Sequence, residues 1–170
     1  MKTLKLASLV VCTLLLTKNC KGQQINIKQI KKNNMQVSWH YQSNRIFFKM
    51  AAPTGGWVTI GFNTSAGTTG AYLLMGHVVK GKVEVVEHYT KSPGNYKPIT
   101  KFGATAHVKD VQGEQNGEHT IIEFSLPVIA NSKYQRDLTE GLEYIMLIAY
   151  SQEDDFQHHS IMRTSTGIKL

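Results

Sequence analysis

The chain reads as all-β, an antiparallel sandwich of two packed sheets, and three features of the sequence lead there. Apolar residues recur at every second position in short runs, turn-forming residues separate the runs, and no segment sustains the apolar period of a helix.

Met35, Val37, Trp39 and Tyr41 alternate with Gln36, Ser38, His40 and Gln42, which predicts a half-buried strand with Trp39 facing inward. Ser43-Asn44 turns the chain into a second strand, Arg45 to Ala52, in which Ile46, Phe48 and Met50 share a face. Pro53-Thr54-Gly55-Gly56 interrupts the chain before Trp57 to Phe62, and a polar loop, Thr64 to Gly70, separates that strand from Ala71 to Val79. Lys80-Gly81 is a two-residue turn into Lys82 to Thr90, a register that sets His77 opposite Glu84. Ser92-Pro93-Gly94-Asn95 and Pro98 mark a longer crossing. Thr105 to Lys109 and His119 to Leu126 are expected as strands joined around Gln112-Gly113-Glu114, so that His107 and His119 oppose each other. Thr120, Ile122, Phe124 and Leu126 form one face of the second, which Pro127 ends. Ile129 to Gly141 is polar, with room for one helical turn. Tyr144 to Tyr150 is continuously apolar, as a central strand covered on both faces would be, and Gly167-Ile168-Lys169-Leu170 closes the chain. About 9–11 short strands so spaced define an immunoglobulin-like sandwich.

Residues 1–22 have the order of a secretory signal: Lys2 and Lys5, an apolar run from Leu6 to Leu16, then Cys20 and Gly22. The run is shorter than the roughly 20 residues that cross a bilayer as a helix, so no integral span is expected. The mature domain is expected to be residues 23–170, secreted or periplasmic. Cys20 would be the acylated residue of a lipoprotein, but Lys18-Asn19 before it does not supply the small residues such a site uses. Both cysteines, Cys12 and Cys20, fall in this leader, which leaves a domain held by sheet packing without disulfides.

Loss of the leader removes four lysines and no acidic residue, so the formal charge drops from +7 to +3. The one short basic cluster, Lys28, Lys31 and Lys32, is a solvated edge, and nucleic acid is not an expected partner.

Catalytic patterns are lacking. There is no Gly-x-Ser-x-Gly elbow, no thiol in residues 23–170, no phosphate-cradling glycine loop before a helix and no His-Glu-x-x-His pair. Glu153-Asp154-Asp155 beside His158-His159 mixes carboxylates with imidazoles, but neighbours on extended chain point opposite ways, and no metal site is expected.

Two separated anchors carry a family resemblance. Gly55-Gly56-Trp57-Val58-Thr59-Ile60-Gly61-Phe62 is followed by Gly70-Ala71-Tyr72-Leu73-Leu74-Met75-Gly76. Far downstream, Ile148-Ala149-Tyr150 leads through an acidic loop to His159-Ser160-Ile161-Met162-Arg163. Together these resemble the DOMON domain over about residues 35 to 170. The resemblance implies a ligand-binding β-sandwich, of a kind found as haem cytochromes, sugar-binding modules and accessory domains of copper monooxygenases. In the cytochromes of that family a methionine after the Gly-Trp strand and a histidine near the C-terminus hold the iron, and His159 matches that histidine. The matching methionine would fall in Gly67-Thr68-Thr69-Gly70, where this chain has threonines, which do not replace a thioether at haem iron. Met75 is then the second candidate ligand, with Met50 behind it and core packing the alternative for both. Tyr72 stands where many monooxygenase-associated members carry an aspartate. An aromatic ring there can stack on a sugar or a porphyrin, and so can Trp57, unless it fills the core. In haem-free members a similar C-terminal motif would use His159 and Arg163 to pin the last strand.

The expected function is a non-catalytic binding domain with a cavity at one end of the sheets, its ligand a small molecule, carbohydrate or haem b. The alternative is a b-type cytochrome passing electrons to a redox partner protein, which requires His159 and Met75 to converge on one pocket. A third reading, a protein interaction module, requires a closed end and an exposed apolar face.

Overall fold

The computed structural model describes residues 25–170, so the leader and Cys20 lie outside the described residues. Eleven strands run in order: β1 (Lys28–Lys32), β2 (Met35–Gln42), β3 (Arg45–Ala52), β4 (Val58–Asn63), β5 (Tyr72–Val79), β6 (Lys82–Ser92), β7 (Asn95–Pro98), β8 (Lys109–Gln115), β9 (Thr120–Pro127), β10 (Glu143–Tyr150) and β11 (Met162–Lys169). They form a five-stranded sheet, β1-β2-β3-β9-β8, and a six-stranded sheet, β11-β10-β4-β5-β6-β7. Every neighbouring pair is antiparallel.

The alternation read from the sequence is what packs the sheets together. Met35, Val37 and Trp39 from β2, Ile46, Phe48 and Met50 from β3, and Ile122, Phe124 and Leu126 from β9 face Val58, Ile60 and Phe62 of β4 and Met146 and Ile148 of β10. Phe48 sits at the centre, with its ring 5.6 Å from those of both Phe62 and Phe124. The β5–β6 turn needs two left-handed residues, and Lys80 and Gly81 adopt φ of 51° and 76°. The resulting register pairs His77 with Glu84.

Several expectations are corrected. Thr105 to Lys109 is not a strand; the strand starts at Lys109 and runs through Gln112-Gly113-Glu114, so the turn falls at 116–119 and His107 and His119 lie at opposite ends of β8. The physical reason lies in the backbone. The N–H groups of His107 and Val108 donate to the Glu87 carboxylate, and the His107 carbonyl accepts from Arg45, so side chains occupy groups a ladder would have used. Ile129 to Gly141 holds no helix; among the described residues the one 3-10 turn is Ile99–Phe102, directly after the stretch read as a crossing and stopped by Gly103 at φ 79°. That stretch contains β7, and the basic cluster at Lys28–Lys32 is the edge strand β1.

Candidate functional site

The outer face of the six-stranded sheet carries the site. On β5, Tyr72 and Leu74 point to the core while Leu73 and Met75 point outward; on β10 the same parity turns Leu147 and Ala149 outward. With Trp57 they make a second apolar cluster, against which Tyr96 and Phe156 pack. Gly61 keeps the floor low between them, because a Cβ there would strike the Leu73 side chain. The segment between β10 and β11, residues 151–161, rises over this face.

Short-range bonds hold that segment down. Trp57 N–H donates to the Glu153 carbonyl, and Ser151 N–H returns a bond to the Trp57 carbonyl, both at 3.0 Å. Gly56 makes the crossing possible, since a Cβ there would collide with the backbone of Gln152 and Glu153. Thr54 Oγ1 donates to the Ser151 carbonyl and Tyr96 Oη to that of Phe156. His77 stacks on Phe156, centroids 4.3 Å apart at 22°, while its Nδ1–H donates to the Asp154 carbonyl at 2.6 Å. His88 meets Phe156 and Tyr96 edge-on. Burial pushes the His88 imidazole below its ordinary pKa, opposed by the Val86 carbonyl that its Nδ1–H reaches. Burial, aided by the Asp155 charge, pushes the Tyr96 phenol up.

Between sheet and segment lies a cavity of ≈340 Å³, within the range of small-molecule pockets. Trp57, Leu73, Met75, Tyr96, Leu147 and Ala149 supply apolar lining, while Gln157, His158, His159, Arg163, Thr164 and Ser165 supply polar lining. His159 and Met75 therefore border the same cavity, Met75 buried in the floor and His159 exposed in the covering segment. Neither the His159 nor the Arg163 side chain makes a hydrogen bond or ion pair among the described residues; the polar tie at His159 is its carbonyl, which accepts from Ser151 Oγ at 3.0 Å. Two buried polar atoms of the lining residues, Trp57 Nε1 and Thr90 Oγ1, also have no protein partner.

The other candidates are placed elsewhere. Tyr72 does not line the cavity: it is buried in the core, with its hydroxyl donating to Glu87 Oε2 at 2.7 Å. Burial first, and then the Glu87 charge, push its phenol well up. Met50 is in the inter-sheet core. Trp57, by contrast, belongs to the outer cluster, and the cavity lies on a sheet face, not at an end of the sandwich. Sequence reasoning missed Thr90, Tyr96 and Phe156; Thr90 precedes the crossing that hides β7, and Tyr96 lies on β7 itself. Leu73 and Leu147 alternate with core positions on their own strands, but in runs that are apolar on both faces.

The DOMON domain profile matches residues 31–151, and the chain belongs to the DOMON domain family. A curated relative is DBH-like monooxygenase protein 1 of Mus musculus, 24% identical over 138 residues. That alignment takes in 79% of this chain and 22% of the relative, so the chain spans about a fifth of its length. Among solved structures, the cytochrome b domain of pyranose dehydrogenase from Coprinopsis cinerea superposes with a TM-score of 0.63 at 10% identity, over 83% of this chain and 80% of that one. The cytochrome domain of Myriococcum thermophilum cellobiose dehydrogenase gives 0.60, also at 10% identity, over 86% and 82%. At such identity these likenesses establish the fold alone. No helix among the described residues is long and apolar enough to cross a membrane.

Proposed function

We propose that this is an accessory, non-catalytic DOMON domain of the secreted or periplasmic space that holds a flat ring ligand in the cavity over the six-stranded sheet, and that haem b is the ligand its side chains suit. One observation carries the reading: an imidazole and a thioether, at His159 and Met75, border one largely apolar cavity. The donor set fits the group. Met75 would approach from the sheet and His159 from the covering segment, with the floor excluding water and Arg163 at hand for a carboxylate. A bound haem would supply one-electron exchange, and a redox protein would be the partner. With threonines at 68 and 69, Met75 is the only thioether lining the cavity among the described residues. Both cytochrome domains named above share the fold, which supports this reading without assigning a ligand.

A carbohydrate is the second reading, favoured by the unpartnered Trp57 N–H and Thr90 hydroxyl and by the polar rim.

Fluorescence separates them. The chain has two tryptophans, one of them lining the cavity. Haemin titrated into the exported protein should quench Trp57 at one equivalent, and Trp57→Phe should remove most of the response. His159→Ala should weaken uptake by about tenfold or more, roughly 1.4 kcal/mol, with His158→Ala close to wild type. Undiminished uptake in both His159→Ala and Met75→Leu would remove the haem assignment, and quenching by neutral oligosaccharides alone would establish the second reading.

A further inference from the structure

Past Gly94, Tyr96 and Gln157, the cavity adjoins a second concavity of ≈740 Å³ along the β7 edge, and these three residues border both. Its lining includes Lys91, Lys97, Lys101, Tyr96 and Phe102, and contains no acidic residue. All three lysines are exposed, and none forms an ion pair among the described residues. Edge protection explains part of this, because Lys97 and Pro98 lie on β7, where a cation and a proline block further strand pairing. It does not explain Lys101, on the 3-10 turn, or Lys91, which sits where the β6–β7 register shifts between Thr90 and Ser92. Such an irregularity re-aims a side chain. Lys91 Nζ lies 4.8 Å from the Phe102 ring centroid. Phe102 in turn stacks on Tyr134, centroids 4.9 Å apart at 27°, and Lys133 Nζ stands 5.3 Å from that ring. With a formal charge of only +3 outside the leader, this gathering of cations on aromatic rings is a local feature, not a consequence of overall basicity.

We propose that this groove binds an acidic polysaccharide, a chain of uronate-bearing or sulfated sugar rings lying along the β7 edge. Charge complementarity selects an anion, since the lysines have no protein counter-ion to displace. The aromatic lining selects sugar over acidic peptide: Tyr96 offers apolar ring area for a pyranose face, and Phe102, covered by Tyr134 and Lys91, seats a lysine that reaches the carboxylates or sulfates. The groove stands whatever occupies the neighbouring cavity.

The test is titration of the exported protein with oligogalacturonate by calorimetry at low and physiological salt. Neutral cello-oligosaccharide and poly-glutamate of matched length serve as controls. The expected result is salt-sensitive binding of oligogalacturonate, weakened about tenfold in the Lys91→Gln/Lys97→Gln/Lys101→Gln variant, as three modest exposed ion contacts would give. Lys31→Gln/Lys32→Gln/Lys82→Gln, which removes the same charge elsewhere, should bind as wild type, and matched melting curves would exclude misfolding. Phe102→Leu should weaken the saccharide further. His159→Ala should leave it unchanged, which separates this result from the fate of the cavity ligand. No binding of oligogalacturonate, equal weakening in the two lysine variants, or poly-glutamate binding as tightly as the saccharide would each overturn the proposal.

Discussion

Glu87 shows how one side chain organises a region that hydrophobic pattern cannot reveal. It is 1% exposed, yet its carboxylate accepts from Tyr72 Oη, Gln135 Nε2 and the backbone N–H groups of His107 and Val108, joining β5, β6 and two long connections. Buried charge survives there because every lone pair has a donor. Glu87→Gln should cost about 3 kcal/mol in chemical denaturation, because an amide nitrogen would meet donors. Tyr72→Phe should cost about 1 kcal/mol and leave ligand uptake unchanged, the opposite of what a stacking residue would do. His88 adds a pH dependence. Its folded pKa is depressed, so the unfolded chain takes up a proton first as pH falls. Its contribution to stability is therefore held above about pH 6.5 and lost progressively below, a decline in Tm that His88→Asn should flatten. The sequence marked His159, Met75 and Trp57 as candidates but not Glu87 or the orientation of Tyr72. A polar residue in an alternating strand reads as solvent-facing, and only the partner segments reveal that it is not.

At the scale of elements, the long hairpins were legible because their turns announce themselves and their strands alternate. Ser43-Asn44 joins β2 to β3 and Lys80-Gly81 joins β5 to β6. The edge strands β1, β7 and β8 were not, since an edge strand with little to bury needs no alternation; β8 is exposed over nearly its whole length. Continuous apolar runs on β5 and β10 hid the cavity for a different reason. Their inner positions meet the opposite sheet and their outer ones meet the 151–161 segment, so both faces are apolar and periodicity cannot tell core from floor. That segment is the element whose position defines the site. Phe156→Ala should unlatch it from His77 and His88, costing about 2 kcal/mol for a half-buried ring, and raise amide exchange between residues 152 and 160. Gly56→Ala should produce the same local loosening through backbone collision, with the β2–β3–β9 core still protected.

For the molecule as a whole, the inter-sheet core and the cavity are separate volumes on opposite faces of one sheet, so substitutions in the lining can change the cavity without disturbing the sandwich. Binding in the cavity should stabilise the fold by mass action, about 2.7 kcal/mol at a hundredfold excess of free ligand over Kd. Most directly, the assignment of the cavity rests on the absorption spectrum of the exported chain purified after growth with haem, recorded oxidised and after dithionite. Sharp low-spin bands on reduction are predicted, shifted or lost in Met75→Leu and abolished in His159→Ala. A folded, colourless protein that takes up no added haem would contradict it.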